Sequence, residues 1–511
     1  MASTWLLVAA ALVALLYWHL TRTFSYWHKK GVYYLPPTVF FGNLKERILF
    51  RISFHEFQLN LYNKFQGHKV AGFFEGRRPA LMIRDPQLIR DVMVRHFEHF
   101  TNRPTLRTRT KPYVEKMLIN LEGQHWKHVR TILTPTFSTG KLRAMEVLVQ
   151  ISGDQLREFL YNTVPENKPV ELEMKELFGR FTMDVIASCA FGVQCNSLKQ
   201  PDAEFASTAA RFNDISLAKR ILLFLVLFLV PPFFFKYITL SFFNNEVMDF
   251  LASVVQDTRK TREKLINERR NDFLQLMIDA AQKESETSTE NVLDEDTITA
   301  QALLILLAGF ETSSTLLAFA SYELAINPEI QAKAREEVNS VLNQHKGSCT
   351  YEALQDMNYL ENVLLEALRK HPPVARVDRI CTAEYTFDID GKKITVDPKY
   401  SVSIPVIGLH YDPQYFPDPQ RFDPERFSQE NRLKRSPYVF LPFGEGPRNC
   451  IGKRFALLST KIAMVHLLKD FKIEPCDKTN IPYKYSKFSM LLKAQDGIFL
   501  NIERLNAKPT Y

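Results

Sequence analysis

The feature that most constrains this chain is its opening. Residues 4–20 read TWLLVAAALVALLYWHL and carry no charge unless His19 ionises. A helix of about that length crosses the hydrocarbon core of a bilayer, and Trp5, Tyr17 and Trp18 stand where interfacial aromatics belong. A cleaved signal peptide would need a basic stretch before the run and a small-residue cleavage site after it. The sequence offers neither; Arg22, Lys29 and Lys30 follow the run instead. Positive charge on that side keeps the remainder of the chain cytosolic. The expected organisation is a transmembrane anchor at 1–21, a basic linker and proline hinge at 22–37 with Pro36-Pro37, and one large domain at 38–511.

Length divided by a typical domain size would suggest several domains. No Pro/Gly-rich interior linker and no repeat period supports that division among the 511 residues. Helical periodicity dominates, and residues 297–326 form a long apolar helical run that stops at Asn327-Pro328. Strand-like alternation is confined to short pieces such as 386–396 and 498–502. The fold class expected is mainly α with small β-sheets (α+β), plus the N-terminal transmembrane helix. Residues 259–270 read as a solvated charged helix face, and residues 283–296 (KESETSTENVLDED) as an exposed loop. A second apolar stretch, 221–235 (ILLFLVLFLVPPFFF), is too short to span comfortably. It fits either a core helix ending at a proline turn or a lip dipping into the membrane surface.

Net charge is +8, which suits an anionic surface or an acidic partner; without a basic run interleaved with aromatics, no nucleic acid is expected. The six cysteines form no CxxC pair and no regular framework, so they read as reduced thiols. One of them stands apart. In FGEGPRNCIG (443–452) a glycine-containing loop leads into Cys450, and a helical pattern begins directly after it. A sulfur at a helix N-terminus is favoured as thiolate, the form that binds metal. Gly444 and Gly446 permit a tight backbone path, Gly452 permits close approach of a flat group, and Arg448 can reach an anion.

The pattern Phe443-x-x-Gly446-x-Arg448-x-Cys450-x-Gly452 is similar, at every fixed position, to the heme-binding signature of the cytochrome P450 family. Other segments resemble that family in the same order. Ala308-Gly309-Phe310-Glu311-Thr312 looks like its oxygen-activation motif: an acid–alcohol pair in an apolar helix is costly without a purpose. Taken alone, the bland alternative is a Thr bonded back to its helix and a surface Glu. Glu366-x-x-Arg369 and Pro424-Glu425-Arg426-Phe427 look like the family's ExxR and PERF elements, implying a buried charge cluster that holds the Cys450 loop. Trp126 and Arg130 resemble its WxxxR element, and Arg379 and Arg103 match positions that bind heme propionates in microsomal members.

The resemblance implies a monooxygenase with heme b (iron protoporphyrin IX) on a Cys450 thiolate. Phe443, Gly444, Arg448, Gly452, Trp126, Arg130, Arg379 and Arg103 would surround the cofactor, and Thr312 and Glu311 would be the catalytic, proton-handling pair. The reaction implied combines dioxygen, electrons from NADPH and two protons with a lipophilic substrate. No dinucleotide fingerprint is present, so the implied electron source is a separate NADPH–cytochrome reductase in the endoplasmic reticulum membrane, with cytochrome b5 as an optional second donor. Lys127, Lys141, Arg143, Lys434, Arg435 and Lys453 are expected to face the reductase. The substrate pocket is expected from parts of 106–122, 211–235, 302–309, 374–377 and 488–491. The character of TPTFSTGKL and AGFETSS is most like insect microsomal members that oxidise foreign compounds. A hormone or lipid hydroxylase, a reductase-independent heme-thiolate isomerase and a non-catalytic heme protein are the alternatives.

Overall fold

The structure is a computed structural model that describes residues 2–505 apart from 106–109, 201–203, 213, 215, 231, 242, 265–269, 271 and 288–291. Its axis is the helix Glu295–Ile326, which starts two residues before the expected run. Asp294 caps it by accepting from Thr297 N at 2.8 Å, and Asn327-Pro328 ends it because the residue before proline is driven out of helical conformation. Most of this helix is buried, so its length and apolarity mark a core element. Gln301, itself buried, accepts from Leu118 N (2.9 Å) and donates to Lys116 O (2.7 Å), clamping the 110–121 segment to it.

Three small sheets complete the fold. Four strands lie in the order Val70–Glu75, Arg78–Ile83, Ser401–Ile404, Val377–Ile380. Phe499–Arg504, which covers most of the strand expected near 498–502, sits between Val170–Glu173 and Phe471–Pro475. Residues 386–396 form a hairpin, Tyr385–Ile389 with Lys392–Val396, turning through Asp390 and Gly391 at positive φ. The first hairpin left no alternation in the sequence because ten of its twelve residues are buried, which erases the period-2 signal.

One large core surrounds the central helix and a second lies beneath the four-stranded sheet. Trp27 belongs to the second core: it is fully buried, donates from Nε1 to Phe73 O at 3.2 Å, and presses on Gly72, where a Cβ would fall 2.4 Å from its ring. Residues 22–37 therefore pack on the domain, with Tyr26 Oη donating to Asp397 (2.8 Å) and Lys30 pairing with it at 2.8 Å.

The helix Ala2–Thr21, long and apolar enough to cross a membrane, is almost wholly exposed. Residues 283–287, expected as loop, instead end the helix Phe273–Thr287; the 288–291 part lies outside the described residues. Of the charged 259–270 stretch, residues through 264 are helical and 265–269 lie outside the description. Among the described residues of 221–235, Leu223, Val226 and Phe235 form a small cluster with Leu240 apart from both main cores, while Ile221, Leu222, Leu225 and Phe234 are exposed. All six cysteines are unpaired thiols.

Candidate functional site

The loop before Cys450 is shaped by its own backbone. Gly444 and Gly446 have φ of 65° and 75°, a region that penalises any Cβ, and a Cβ on Gly446 would collide with Met93 O at 1.9 Å. Cys450 N donates to Phe443 O at 2.8 Å and Asn449 N to Gly446 O at 3.1 Å, closing the turn. The helix Lys453–Asp470 then begins behind Gly452. Cys450 is exposed by surface area yet crowded by protein, as a group facing an interior slot is. Desolvation raises its thiol pKa, while the Gly452 backbone and the cations Arg130, Arg103 and Lys453 pull it down. A Cβ on Gly452 would meet only Phe137, at an ordinary 3.7 Å.

Four arginines gather around this loop. Arg103 Nη2 donates to Arg448 O (3.1 Å), Arg130 Nη2 to Asn449 Oδ1 (2.8 Å), Arg379 Nη1 to Asp378 O (3.0 Å), and Arg448 Nη2 to Leu121 O. Among the described residues no carboxylate forms an ion pair with any of them. Arg379 and Arg448 are buried, and Arg379 Nε, Arg379 Nη2 and Arg448 Nε have no hydrogen-bond partner. Burial, followed by repulsion from neighbouring arginines, pushes both guanidinium groups down to about 9. Trp126 lies under the Arg448 guanidinium, 4.5 Å from it, with Phe97 at its edge. Four cations drawn together without an anion form a receptor for one.

Across the central helix the environment changes. Ala308 is exposed in the middle of an otherwise buried element, and Gly309, Phe310, Glu311 and Thr312 are half-buried. Thr312 Oγ1 donates to Ala308 O at 2.6 Å. Glu311 pairs with Lys175 of the helix Met174–Ile186 at 3.2 Å, and Lys175 also donates to Ser314 Oγ (2.6 Å), Thr315 Oγ1 (3.0 Å) and Glu311 O (2.9 Å). Gly309 does not open a space: a Cβ there would meet Ile186 at 2.6 Å, so close packing of the two helices requires it. Lys175 carried no signal in the sequence, because it opens an ordinary amphipathic helix.

The Glu366 cluster has its anion within the chain, although Arg426 Nε makes no hydrogen bond. Arg369 donates from Nε and Nη2 to Glu366 at 2.7 and 2.8 Å, from Nη1 to His410 O at 2.9 Å and from Nη2 to Arg421 O at 3.3 Å. Asp423 N donates to Glu366 at 3.0 Å, and Arg426 stands 3.4 Å from it. His410 accepts Leu441 N on Nε2, which ties the cluster to the segment leading into the Cys450 loop.

Some expectations need correcting. Arg435 is not a free surface cation: it is half-buried over Phe416 and Phe427 and donates to Arg426 O. Arg143 and Lys434 pair with Glu352 and Glu430 at 2.6 Å, while Lys127, Lys141 and Lys453 are exposed without an ion pair among the described residues. A cavity of about 520 Å³ also opens away from the segments expected to form the substrate pocket. It lies between the helix Met174–Ile186, the central helix and residues 492–498, with Lys175, Phe310, Thr315 and Phe319 on its wall. Residues 106–109 of the expected lining fall outside the described residues.

Comparison with known proteins shows the family. The family model described as Cytochrome P450 matches residues 34–502. Cytochrome P450 9e2 of Blattella germanica is 38% identical over 98% of this chain and 97% of its own length. Cytochrome P450 6j1 of the same organism is 38% identical over 96% of both chains. Cytochrome P450 3A6 of Oryctolagus cuniculus is 38% identical over 96% of this chain and 94% of its own length.

Proposed function

This chain belongs to the cytochrome P450 family, a family of heme-thiolate monooxygenases, and we propose that it inserts one oxygen atom of dioxygen into lipophilic foreign compounds. In this reading the anchor Ala2–Thr21 holds it in the endoplasmic reticulum membrane with the domain facing the cytosol. Electrons come from NADPH through a separate reductase, with cytochrome b5 as an optional second donor. Exposed Lys127, Lys141 and Lys453 beside the Cys450 loop supply the positive face for that docking.

The residues present fit heme b. The observation that carries this is the set of buried, partnerless guanidinium nitrogens on Arg379 and Arg448 beside the Cys450 loop, which carboxylate side groups would satisfy. When bound, heme supplies the oxygen chemistry that no side chain here provides. Cys450 Sγ would be its metal ligand; Arg103, Arg130, Arg379 and Arg448 would hold its carboxylates, with Trp126 stacked against Arg448. Phe443 and Gly444 set the loop, while Gly452 leaves the slot clear of a side chain. Thr312 keeps its hydroxyl proton on Ala308 O, a bond it can exchange for one to a reacting oxygen without moving the helix. Glu311, held by Lys175 on the wall of the outer cavity, passes protons from solvent towards that hydroxyl. The lipophilic substrate follows from the apolar segments expected around the distal side, and its foreign origin from the insect microsomal character of the motifs.

The test is a titration of the ferric, membrane-bound protein with plant terpenoids, insecticides, fatty acids and steroids, followed in the Soret band, then NADPH-dependent turnover with reductase. Spin-state shifts and oxidation across several classes are expected. Response to a single steroid or fatty acid would favour an endogenous hydroxylase, and turnover without NADPH would favour an isomerase.

A further inference from the structure

The last turn of the anchor does not hang from the domain. Leu20 is buried, and Thr23 Oγ1 donates to Arg77 O in the turn between strands Val70–Glu75 and Arg78–Ile83. Trp27 then plugs the second core. This brings Arg22, at the membrane exit, beside Arg77 and Arg78 on the turn. Arg77 is half-buried and Arg78 exposed by surface area yet crowded by protein; desolvation lowers the pKa of both, and for Arg77 repulsion from Arg22 and Arg78 adds to it. Among the described residues none of the three has an ion pair or a side-chain hydrogen bond. Glu75, the carboxylate whose charge reaches Arg78, is engaged with Arg376 at 2.5 Å. His19 Nε2, one turn inside the anchor, is likewise buried without a partner. Arg22 stands over Trp18 at 5.3 Å, at interfacial depth. Arg78 stands 5.7 Å over the ring of Phe235, which joins the three cations to the apolar 221–235 segment whose Ile221, Leu222 and Leu225 face outward.

Cations with no protein anion, fixed at the height where an apolar helix leaves the hydrocarbon and flanked by outward apolar side chains, match the phosphate layer of a bilayer. We propose that Arg22, Arg77 and Arg78 form a headgroup site for the phosphate of an anionic phospholipid. The site rests on the anchor reading above. It fixes the tilt of the domain because Trp27 makes the anchor and the turn one body.

The experiment compares the full chain in vesicles of phosphatidylcholine with vesicles containing added phosphatidylserine. Hydrogen exchange of the peptide spanning 74–80 is read alongside co-flotation. Phosphatidylserine should slow exchange there roughly fivefold, and the effect should vanish in Arg77→Gln/Arg78→Gln, shrink in Arg22→Gln, and fade at high salt, with flotation unchanged. Equal exchange in both vesicles, with the protein floating, would overturn the site while leaving the anchor standing. Failure to float would overturn the anchor and the site with it. Equal protection by free inorganic phosphate in phosphatidylcholine vesicles, or by a soluble acidic protein alone, would overturn the lipid assignment.

Discussion

Two buried arginine clusters flank the Cys450 loop and differ in one respect. Around Glu366 every cation finds an anion or a carbonyl within the protein: Arg369 makes four hydrogen bonds and Arg426 joins the same carboxylate. Around Cys450, Arg103, Arg130, Arg379 and Arg448 share carbonyls and an amide but no carboxylate, and three guanidinium nitrogens are left bare. The first cluster has its own anion, Glu366, with only Arg426 Nε lacking a hydrogen bond, and serves as framework. The second is unfinished by the chain alone, and incompleteness of buried charge marks a ligand site where identical residue types would otherwise look alike.

The largest effect should come from breaking the finished cluster. Arg369→Ala leaves the buried Glu366 with only Arg426, at 3.4 Å, as a cation, at a cost of about 3 kcal/mol, and should sharply lower the yield of folded protein whether or not heme is supplied. Circular dichroism melting and soluble yield check this.

Acid should weaken the same framework. His410 is held down to about 3 and His55 to about 4, both chiefly by burial. The folded pKa values lie below the ordinary 6.5, so the unfolded chain takes up protons first, and stability is complete above pH 6.5 and declines as pH falls. By pH 5 each should have removed about 2 kcal/mol. Denaturant midpoints between pH 7.5 and 5 measure it, and His410→Gln, which keeps a polar side chain, should flatten part of the slope.

The unfinished cluster should respond with opposite signs. Arg379→Leu relieves a buried, repelled cation, so heme-free protein should be unchanged or gain about 1 kcal/mol. The heme-loaded protein should lose cofactor roughly tenfold more readily, about 1.4 kcal/mol. Loss of stability in both states would place Arg379 in the framework instead. The smallest effect belongs to the surface: Lys127→Glu with Lys453→Glu should lower reductase-supported turnover a few-fold at low salt and little at high salt, measured as NADPH-dependent oxidation.

The linear pattern exposed the finished and unfinished clusters unequally. Glu366 and Arg369 were legible as a pair because their i, i+3 spacing within one short segment places them together, and Cys450 and Thr312 stood out as candidates for the same reason of local spacing. Which arginines lacked anions was not, since that depends on carboxylates distant in sequence. The same holds for Lys175, brought to Glu311 only by the packing of two helices around Gly309. The central helix was legible from its apolarity and its proline stop. The first hairpin was hidden because burial on both faces removed its alternation. Trp27 was hidden for a related reason: a single aromatic in a basic stretch does not announce that it fills a core 46 residues away in sequence.

The most direct test of the central claim is the reduced, carbon-monoxide-bound absorption spectrum of the full chain reconstituted with heme, recorded beside Cys450→Ser and Arg379→Leu. The wild type should give the long-wavelength Soret band of a thiolate ligand. Cys450→Ser should lose that band while remaining folded, and Arg379→Leu should keep it at reduced heme occupancy. Retention of the thiolate band in Cys450→Ser would contradict the assignment of Cys450 and of the unfinished cluster built around it.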